Sequence, residues 1–131
     1  MESNSFLVDA NVYIGLYRGD DSQHQKALSI FEELREKQII LPYCIVQEVC
    51  TVLTNKAGKA TADIFLENIM NVKNIEIIDS NVSKEMAHFR SVPVALSFAD
   101  ITLIYLSKIW KAELITFDKQ LLKLYKKSNS R

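Results

Sequence analysis

Four short apolar runs, separated by longer segments with helical spacing, constrain the fold of this chain more than any other feature. The runs lie within residues 6–8, 38–41, 75–78 and 113–118. Short apolar runs without alternation are typical of strands that are buried on both faces. Strands that alternate with helices predict a parallel sheet with right-handed crossovers and helices on both faces. We therefore predict a three-layer α/β/α sandwich with four strands, or five if the C-terminal residues add one.

Apolar residues at helical spacing predict the helices between these strands. The predicted helices are one that Asp21 or Ser22 would cap, one from about Ile45 to Gly58, one from Thr61 to Val72, one that Asp79 and Ser80 would cap and that ends before Pro93, one from Ser97, and one from Lys119. The third would turn Ile64, Phe65, Ile69 and Met70 to its apolar side. Residues 101–110 are apolar nearly all round, which predicts that this helix is buried.

Length and composition predict one globular domain over residues 1–131. Hydrophobic residues make up 48% of the 131 residues and charged residues 24%, which excludes a disordered chain. No apolar run approaches the roughly 18 residues of a membrane span, and the polar start does not resemble a signal peptide, so we expect a cytoplasmic protein without membrane contact. Cys44 and Cys50 fit neither a disulfide framework nor a zinc site.

The net charge is zero, but the C-terminal residues 119–131, a predicted helix and tail, are basic and contain no acid. Five cations lie in this segment: Lys119, Lys123, Lys126, Lys127 and Arg131. They predict either a surface that attracts phosphates or a solvated basic tail.

Four acids are placed where a parallel sheet would bring them together. Asp9 and Asp118 end apolar strands, Asp100 opens the buried helix, and Glu48 lies at the rim of a buried helical face. Ligands of open α/β sheets bind at the carboxyl edge of the strands, where these acids would converge. Three of them also have a structural explanation: Asp9 as a helix cap or turn residue, Asp100 as the partner of Ser97 in a capping box, and Glu48 as a solvated side chain.

Carboxylates that crowd together repel one another and raise each other's pKa values. A divalent cation removes the repulsion, and oxygen ligands favour Mg²⁺ or Mn²⁺. A Mg²⁺ ion keeps several waters, so this site would hold a nucleophile and leave room for a phosphate group. The acids therefore predict metal-assisted hydrolysis of a phosphodiester.

The order of these motifs resembles the PIN-domain ribonucleases, above all the VapC-like toxins of type II toxin–antitoxin pairs. The motifs are Asp9 with Asn11, Glu48, Ser97 with Asp100, and Thr116 with Asp118. The resemblance implies an acidic site of Asp9, Glu48, Asp100 and Asp118 around Mg²⁺ or Mn²⁺, supported by Asn11, Ser97 and Thr116. It also implies an endoribonuclease whose metal-activated water leaves a 5′-phosphate and a 3′-hydroxyl, a homodimer, and a cognate antitoxin that covers the site.

The chain departs from the family pattern at two points. Ile101 follows Asp100 where a small residue is usual, and residues 124–128 show no fifth strand. The main alternative is a non-catalytic PIN-like module with a binding or scaffolding role, against which the complete acidic quartet argues. A haloacid-dehalogenase phosphatase would need an acid where Asn11 stands, and a signal receiver would need an acidic pair where Asp9 is single.

The apolar residues after Asp9 leave a question about assembly open. Tyr13, Ile14, Leu16 and Tyr17 form an apolar cluster followed by Arg18. This cluster would belong either to the core or to an interface, so the homodimer rests on the resemblance alone.

Overall fold

The computed structural model describes residues 4–129. The elements in chain order are β1 (Ser5–Val8), α1 (Ala10–Tyr17), α2 (His24–Glu33), β2 (Gln38–Pro42), α3 (Tyr43–Ala57), α4 (Lys59–Asn71), β3 (Ile75–Ile78), α5 (Val82–Ser91), α6 (Phe98–Ile109), β4 (Glu113–Ile115) and α7 (Lys119–Asn129). The strands form one parallel sheet in the order β3-β2-β1-β4. Helices flank the sheet, as the alternation of strands and helices predicted.

The register of the two central strands puts their carboxyl ends at one edge. Leu7 of β1 pairs with Ile40 of β2 and with Leu114 of β4. All three side chains are at most 2% exposed, so the centre of the sheet is apolar on this face. Helix α6 packs against both β1 and β4, which places its N-terminus near the ends of these strands.

Helix α1 settles the position of the apolar cluster after Asp9. Tyr13 is 1% exposed, and its ring lies 5.1 Å from that of Phe31 and 5.7 Å from that of Phe65. Tyr17 contacts the same Phe65 ring edge-on at 5.4 Å. Tyr13 therefore belongs to the core between α1, α2 and α4, while Tyr17 is only partly buried.

Two predicted helix caps are wrong. The residue before α2 is Gln23, because Asp21 instead accepts a hydrogen bond from the Gln23 amide and closes a turn (2.8 Å). Asn81, not Asp79 or Ser80, caps α5. Its side chain accepts from the Lys84 amide (3.2 Å), while its own amide donates to Glu85 (2.9 Å). These two hydrogen bonds satisfy the backbone amides of Lys84 and Asn81 in the first turn.

Several side chains predicted to be buried are exposed. Ile109 is 59% and Trp110 38% exposed, because the last turn of α6 and its C-cap are open to solvent. In α4 only Phe65 and Ile69 of the predicted apolar side are buried, whereas Ile64 and Met70 face outward. The apolar pattern of these helices is wider than the surface that they bury.

Residues 4–129 contain four strands and no fifth. Helix α7 occupies the segment where a fifth strand was considered, and it packs against β4. Arg131 of the predicted basic tail lies outside the described residues. No helix in the described part of the chain is long and apolar enough to span a bilayer.

Candidate active site

Asp9 is the buried centre of the site. It directly follows β1 and is the N-cap of α1, where its Oδ1 accepts a hydrogen bond from the Ala10 amide at 2.7 Å. Its own amide donates to the carbonyl of Ile115 at the end of β4 (2.9 Å). Only 8% of Asp9 is exposed. The capping role that the sequence suggested for Asp9 is therefore real, and it leaves the carboxylate at the carboxyl edge of the sheet.

Thr116 connects Asp9 to the opposite strand. Its hydroxyl donates to Asp9 Oδ2 at 2.7 Å and accepts from the Asn11 side-chain amide (3.3 Å) and from the Asp118 backbone amide (3.0 Å). A hydroxyl has one donor and two acceptor positions, so these three bonds use its full capacity. Thr116 is thus held in one orientation and holds Asp9 in turn.

Asn11 completes this network from the first turn of α1. Its Oδ1 accepts from the Phe117 amide (3.2 Å), while its Nδ2 donates to Thr116. One side-chain amide therefore ties α1 to the segment between β4 and α7. The sequence placed Asn11 and Thr116 in supporting positions, and the structure brings both into contact around Asp9.

The prediction that Asp118 ends a strand is wrong. Strand β4 stops at Ile115, and Asp118 lies immediately before α7. Its Oδ1 accepts from the Gln120 amide (2.9 Å) and the Leu121 amide (3.1 Å), the pattern of a helix N-cap. The side chain is exposed and lies near Asp9 and Asp100, since its charge raises the pKa of both.

Asp100 lies in the first turn of α6, behind the N-cap Ser97. The Ser97 hydroxyl oxygen accepts from the Asp100 amide at 3.1 Å, which confirms the predicted capping geometry. Partial burial raises the pKa of Asp100, a hydrogen bond from Ser97 lowers it, and the charge of Asp118 raises it again. Ser97 therefore positions Asp100, and this capping contact is compatible with a role of the Asp100 carboxylate in the site.

Glu48 approaches the site from α3. Its side chain is exposed, as expected of a residue at the rim of a buried face. Burial, then the charge of Asp9 and then that of Asp100 raise the pKa of its carboxyl group. The Glu48 side chain makes no hydrogen bond within residues 4–129, and its carboxyl group is close enough to Asp9 and Asp100 for their charges to act on it.

Mutual repulsion shows that the four acids lie on one patch. The pKa of Asp9 is raised above all by burial and further by Asp100 and Asp118, although Thr116 and Ala10 lower it. Each of the four acids therefore interacts with at least two others. Within the described residues, however, no three His, Cys, Asp or Glu side chains are grouped closely enough to hold one ion as they stand.

The donor set fits a hard divalent cation. The four side chains offer only carboxylate oxygens, which Mg²⁺ and Mn²⁺ prefer. A cation between them would offset the repulsion that raises the pKa values of Asp9, Glu48 and Asp100. Within residues 4–129 these acids have the donor chemistry for such an ion, although their side chains are not yet grouped closely enough to hold it.

The departure at Ile101 has a visible consequence. Ile101 is 3% exposed and lines a cavity of about 400 Å³ between α5, α6 and α7, together with Tyr105 and Leu124. The larger side chain is therefore accommodated on the side of α6 that meets these helices, and Asp100 keeps its place at the helix start.

Comparisons with known proteins agree with this architecture. The family model described as PIN domain matches residues 6–127. Among solved structures, that of VapC20 from Mycobacterium tuberculosis, described as a sarcin–ricin loop cleaving toxin, superposes with a TM-score of 0.77. The identity is 15%, and the match covers 91% of this chain and 94% of that one, so the likeness is one of fold. No curated protein matches the chain in sequence.

Proposed function

This chain belongs to the PIN domain family, and on that premise we propose that it is a metal-dependent endoribonuclease, the toxin of a toxin–antitoxin pair. The observation that carries the proposal is the patch of four acids, Asp9, Glu48, Asp100 and Asp118, in which burial and neighbouring negative charge raise the pKa values of Asp9, Glu48 and Asp100. A structural relative at 15% identity is described as a sarcin–ricin loop cleaving toxin, which supports a nuclease of the same kind.

The four acids would hold Mg²⁺ or Mn²⁺. When bound, such an ion supplies a water of lowered pKa and offsets negative charge on the phosphate. The residues of the chain do the positioning. Thr116 and the Ala10 amide fix the two oxygens of Asp9, so that this carboxylate needs little reorganisation to act as a ligand.

Helix α7 offers a surface for the RNA backbone. It begins directly after Asp118 and carries exposed Lys119, Lys123 and Lys126. Once a cation neutralises the acids, these side chains would attract the phosphates that flank the cleaved bond. This arrangement favours the phosphate-binding interpretation of the basic C-terminal segment over that of a solvated tail.

We further propose a cytoplasmic homodimer whose acidic patch is covered by an antitoxin. The homodimer and the antitoxin rest on the family. Light scattering at micromolar concentration tests the dimer, and a monomer there would contradict it. A small DNA-binding protein encoded beside this chain that co-purifies with it and suppresses cleavage would support the antitoxin.

Cleavage of single-stranded or loop RNA with and without Mg²⁺ or Mn²⁺ tests the activity itself. We expect cleavage to require the metal, to stop on chelation and to leave a 5′-phosphate and a 3′-hydroxyl. Robust cleavage by scrupulously purified protein in excess chelator would overturn the metal-dependent mechanism. RNA binding without any cleavage under all metal conditions would favour a non-catalytic module.

A further inference from the structure

Phe98 presents an exposed aromatic ring at the start of α6, the helix whose first turn carries Asp100. The Phe98 side chain is 43% exposed, although rings of this size contribute most when buried. Phe98 is the first residue of α6, between the N-cap Ser97 and the acid Asp100. Residues two positions apart on a helix, such as Phe98 and Asp100, differ by about 200° in direction and about 3 Å in height. The Phe98 side chain therefore starts within one turn of Asp100 and projects from nearly the opposite side of the helix.

Phe89 fixes the orientation of this ring. The two rings are stacked, with centroids 4.9 Å apart and planes 24° from parallel. Phe89 belongs to α5, which packs against α6, and it is itself partly buried. Phe98 is stacked on one face and exposed elsewhere. Stacking of a second flat ring on it would therefore cost the protein little conformational entropy.

Two other aromatic side chains in the described part of the chain are comparably exposed, and neither combines both properties. Tyr43 is 49% exposed and begins α3 at the same edge of the sheet, but no other ring within residues 4–129 stacks on it. Trp110 is 38% exposed and is the C-cap of α6, at the end opposite Asp100. Among these three exposed rings, Phe98 alone both lies at the end of α6 that carries Asp100 and is stacked on a neighbouring ring.

We propose that Phe98, supported by Phe89, is a stacking platform for one unpaired base of the RNA where the strand passes the start of α6. This inference rests on the proposed ribonuclease function. Every base has a flat face, so a stacking platform selects for an unpaired nucleotide rather than for a sequence. The substrate class that follows is single-stranded or looped RNA with an unpaired base.

Affinity for a short fluorescein-labelled single-stranded RNA of mixed sequence tests the platform. Anisotropy is measured with Mg²⁺ on an Asp9→Asn background, so that the result does not depend on cleavage. Phe98→Ala is expected to raise Kd by roughly 5- to 150-fold, the range that one stacked base gives on alanine substitution. Phe98→Leu should lose nearly as much, whereas Phe98→Trp should retain the affinity. Trp110→Ala, an exposed ring at the far end of the same helix, is the matched control and should bind as before.

A scan with abasic nucleotides separates stacking from a change in fold. With Phe98 present, removing one particular base should weaken binding. In Phe98→Ala the same removal should have little further effect, because the platform is already gone. In the active protein, Phe98→Ala should raise KM far more than it lowers kcat, which a collapsed site would not produce.

Three results would overturn the inference. One is unchanged affinity in Phe98→Ala, and another is full additivity between that substitution and every abasic position. The third is altered oligomeric state in Phe98→Ala with unaltered RNA affinity, which would assign the ring to a protein interface. If the wild type neither binds nor cleaves RNA, the proposed function itself fails. If the wild type binds and cleaves RNA and Phe98→Ala binds RNA equally well, only the stacking platform fails.

Discussion

The two sides of the acidic patch are built differently. The strand side consists of Asp9, Asn11, Thr116 and Asp118, which follow β1 and β4, and hydrogen bonds join these residues to one another or to nearby amides. The helix side consists of Glu48 and Asp100, which stand on α3 and α6. The Glu48 side chain makes no hydrogen bond in the described chain, and the Asp100 carboxylate is supported by Ser97 alone.

The two sides therefore differ in how firmly their carboxylates are held and in how far their negative charge is compensated. On the strand side, donors of the protein already bond both carboxylate oxygens of Asp9 and one of Asp118, so their geometry exists without a metal. On the helix side repulsion between the acids is opposed by few donors. We infer that the strand side supplies the fixed frame of the site, and that the helix side supplies negative charge that a cation must balance.

Asp9→Asn should give the largest effect, because Asp9 is the acid that both sides share. It is bonded within the strand side, and its charge raises the pKa of Glu48. Loss of a ligand charge worth several kcal/mol should lower the cleavage rate by roughly 10³-fold or more. Initial rates on single-stranded RNA at saturating Mg²⁺ measure this.

The matched control is Asp79→Asn. Asp79 directly follows β3, just as Asp9 follows β1, but it is exposed and lies outside the acidic patch. Its substitution should leave the rate essentially unchanged. A large loss of activity in Asp79→Asn, with activity retained in Asp9→Asn, would mean that the site lies at the end of β3 and not at the end of β1.

Thr116→Val should give the next largest effect, through the frame rather than the charge. The substitution keeps the shape and removes the hydroxyl that donates to Asp9 and accepts from Asn11 and Asp118. Buried groups left without a partner cost about 1–3 kcal/mol of the free energy of unfolding. Removal of a group that orients a metal ligand typically costs 10- to 100-fold in activity, so we expect roughly that loss.

Urea denaturation and cleavage rates test this against Ser97→Ala on the helix side. Thr116→Ser should restore most of both properties, since it returns the hydroxyl. Ser97→Ala removes one helix cap, worth about 1 kcal/mol, and should reduce activity less than Thr116→Val. If Ser97→Ala proved as damaging to activity as Thr116→Val, the distinction between the two sides would fail.

Much of this architecture could be predicted because it depends on local periodicity. Apolar runs and helical spacing defined the four strands and most helices, and parallel strands place their carboxyl ends at one edge. That rule alone brought Asp9 and Asp118 together. Helix α1 was missed as a helix, because its residues are buried on most sides and show little amphipathic period.

The contacts that build the site were beyond such patterns. The bond from Thr116 to Asp9 joins residues 107 positions apart, so no local spacing records it. Asp118 was misassigned because an apolar run that ends in an acid has the same sequence pattern whether the acid ends the strand or caps the next helix. The cap of α5 was misplaced for a related reason, since four polar residues at 79, 80, 81 and 83 compete for one position and only the fold selects Asn81.

Asp100→Asn should give the smallest effect on stability and one with the opposite sign. Burial and the charge of Asp118 raise the pKa of Asp100 in the folded protein, despite the hydrogen bond from Ser97. Below the ordinary value near 3.9 both folded and unfolded chains are protonated there, and the group costs nothing. As the pH rises through the raised pKa, the folded chain gives up its proton less readily than the unfolded one, so the free energy of unfolding falls.

The metal-free Asp100→Asn protein should therefore melt at a higher temperature than the wild type at neutral pH, and this advantage should shrink as the pH approaches 4. Added Mg²⁺ should raise the wild-type stability by about 2.7 kcal/mol at 100 times its dissociation constant, and should do less for the variant, which lacks a ligand. Thermal melts at fixed ionic strength measure both effects, because salt alone screens repulsion. An advantage that is independent of pH, or equal Mg²⁺ shifts in both proteins, would mean that Asp100 carries no charge for the cation to balance.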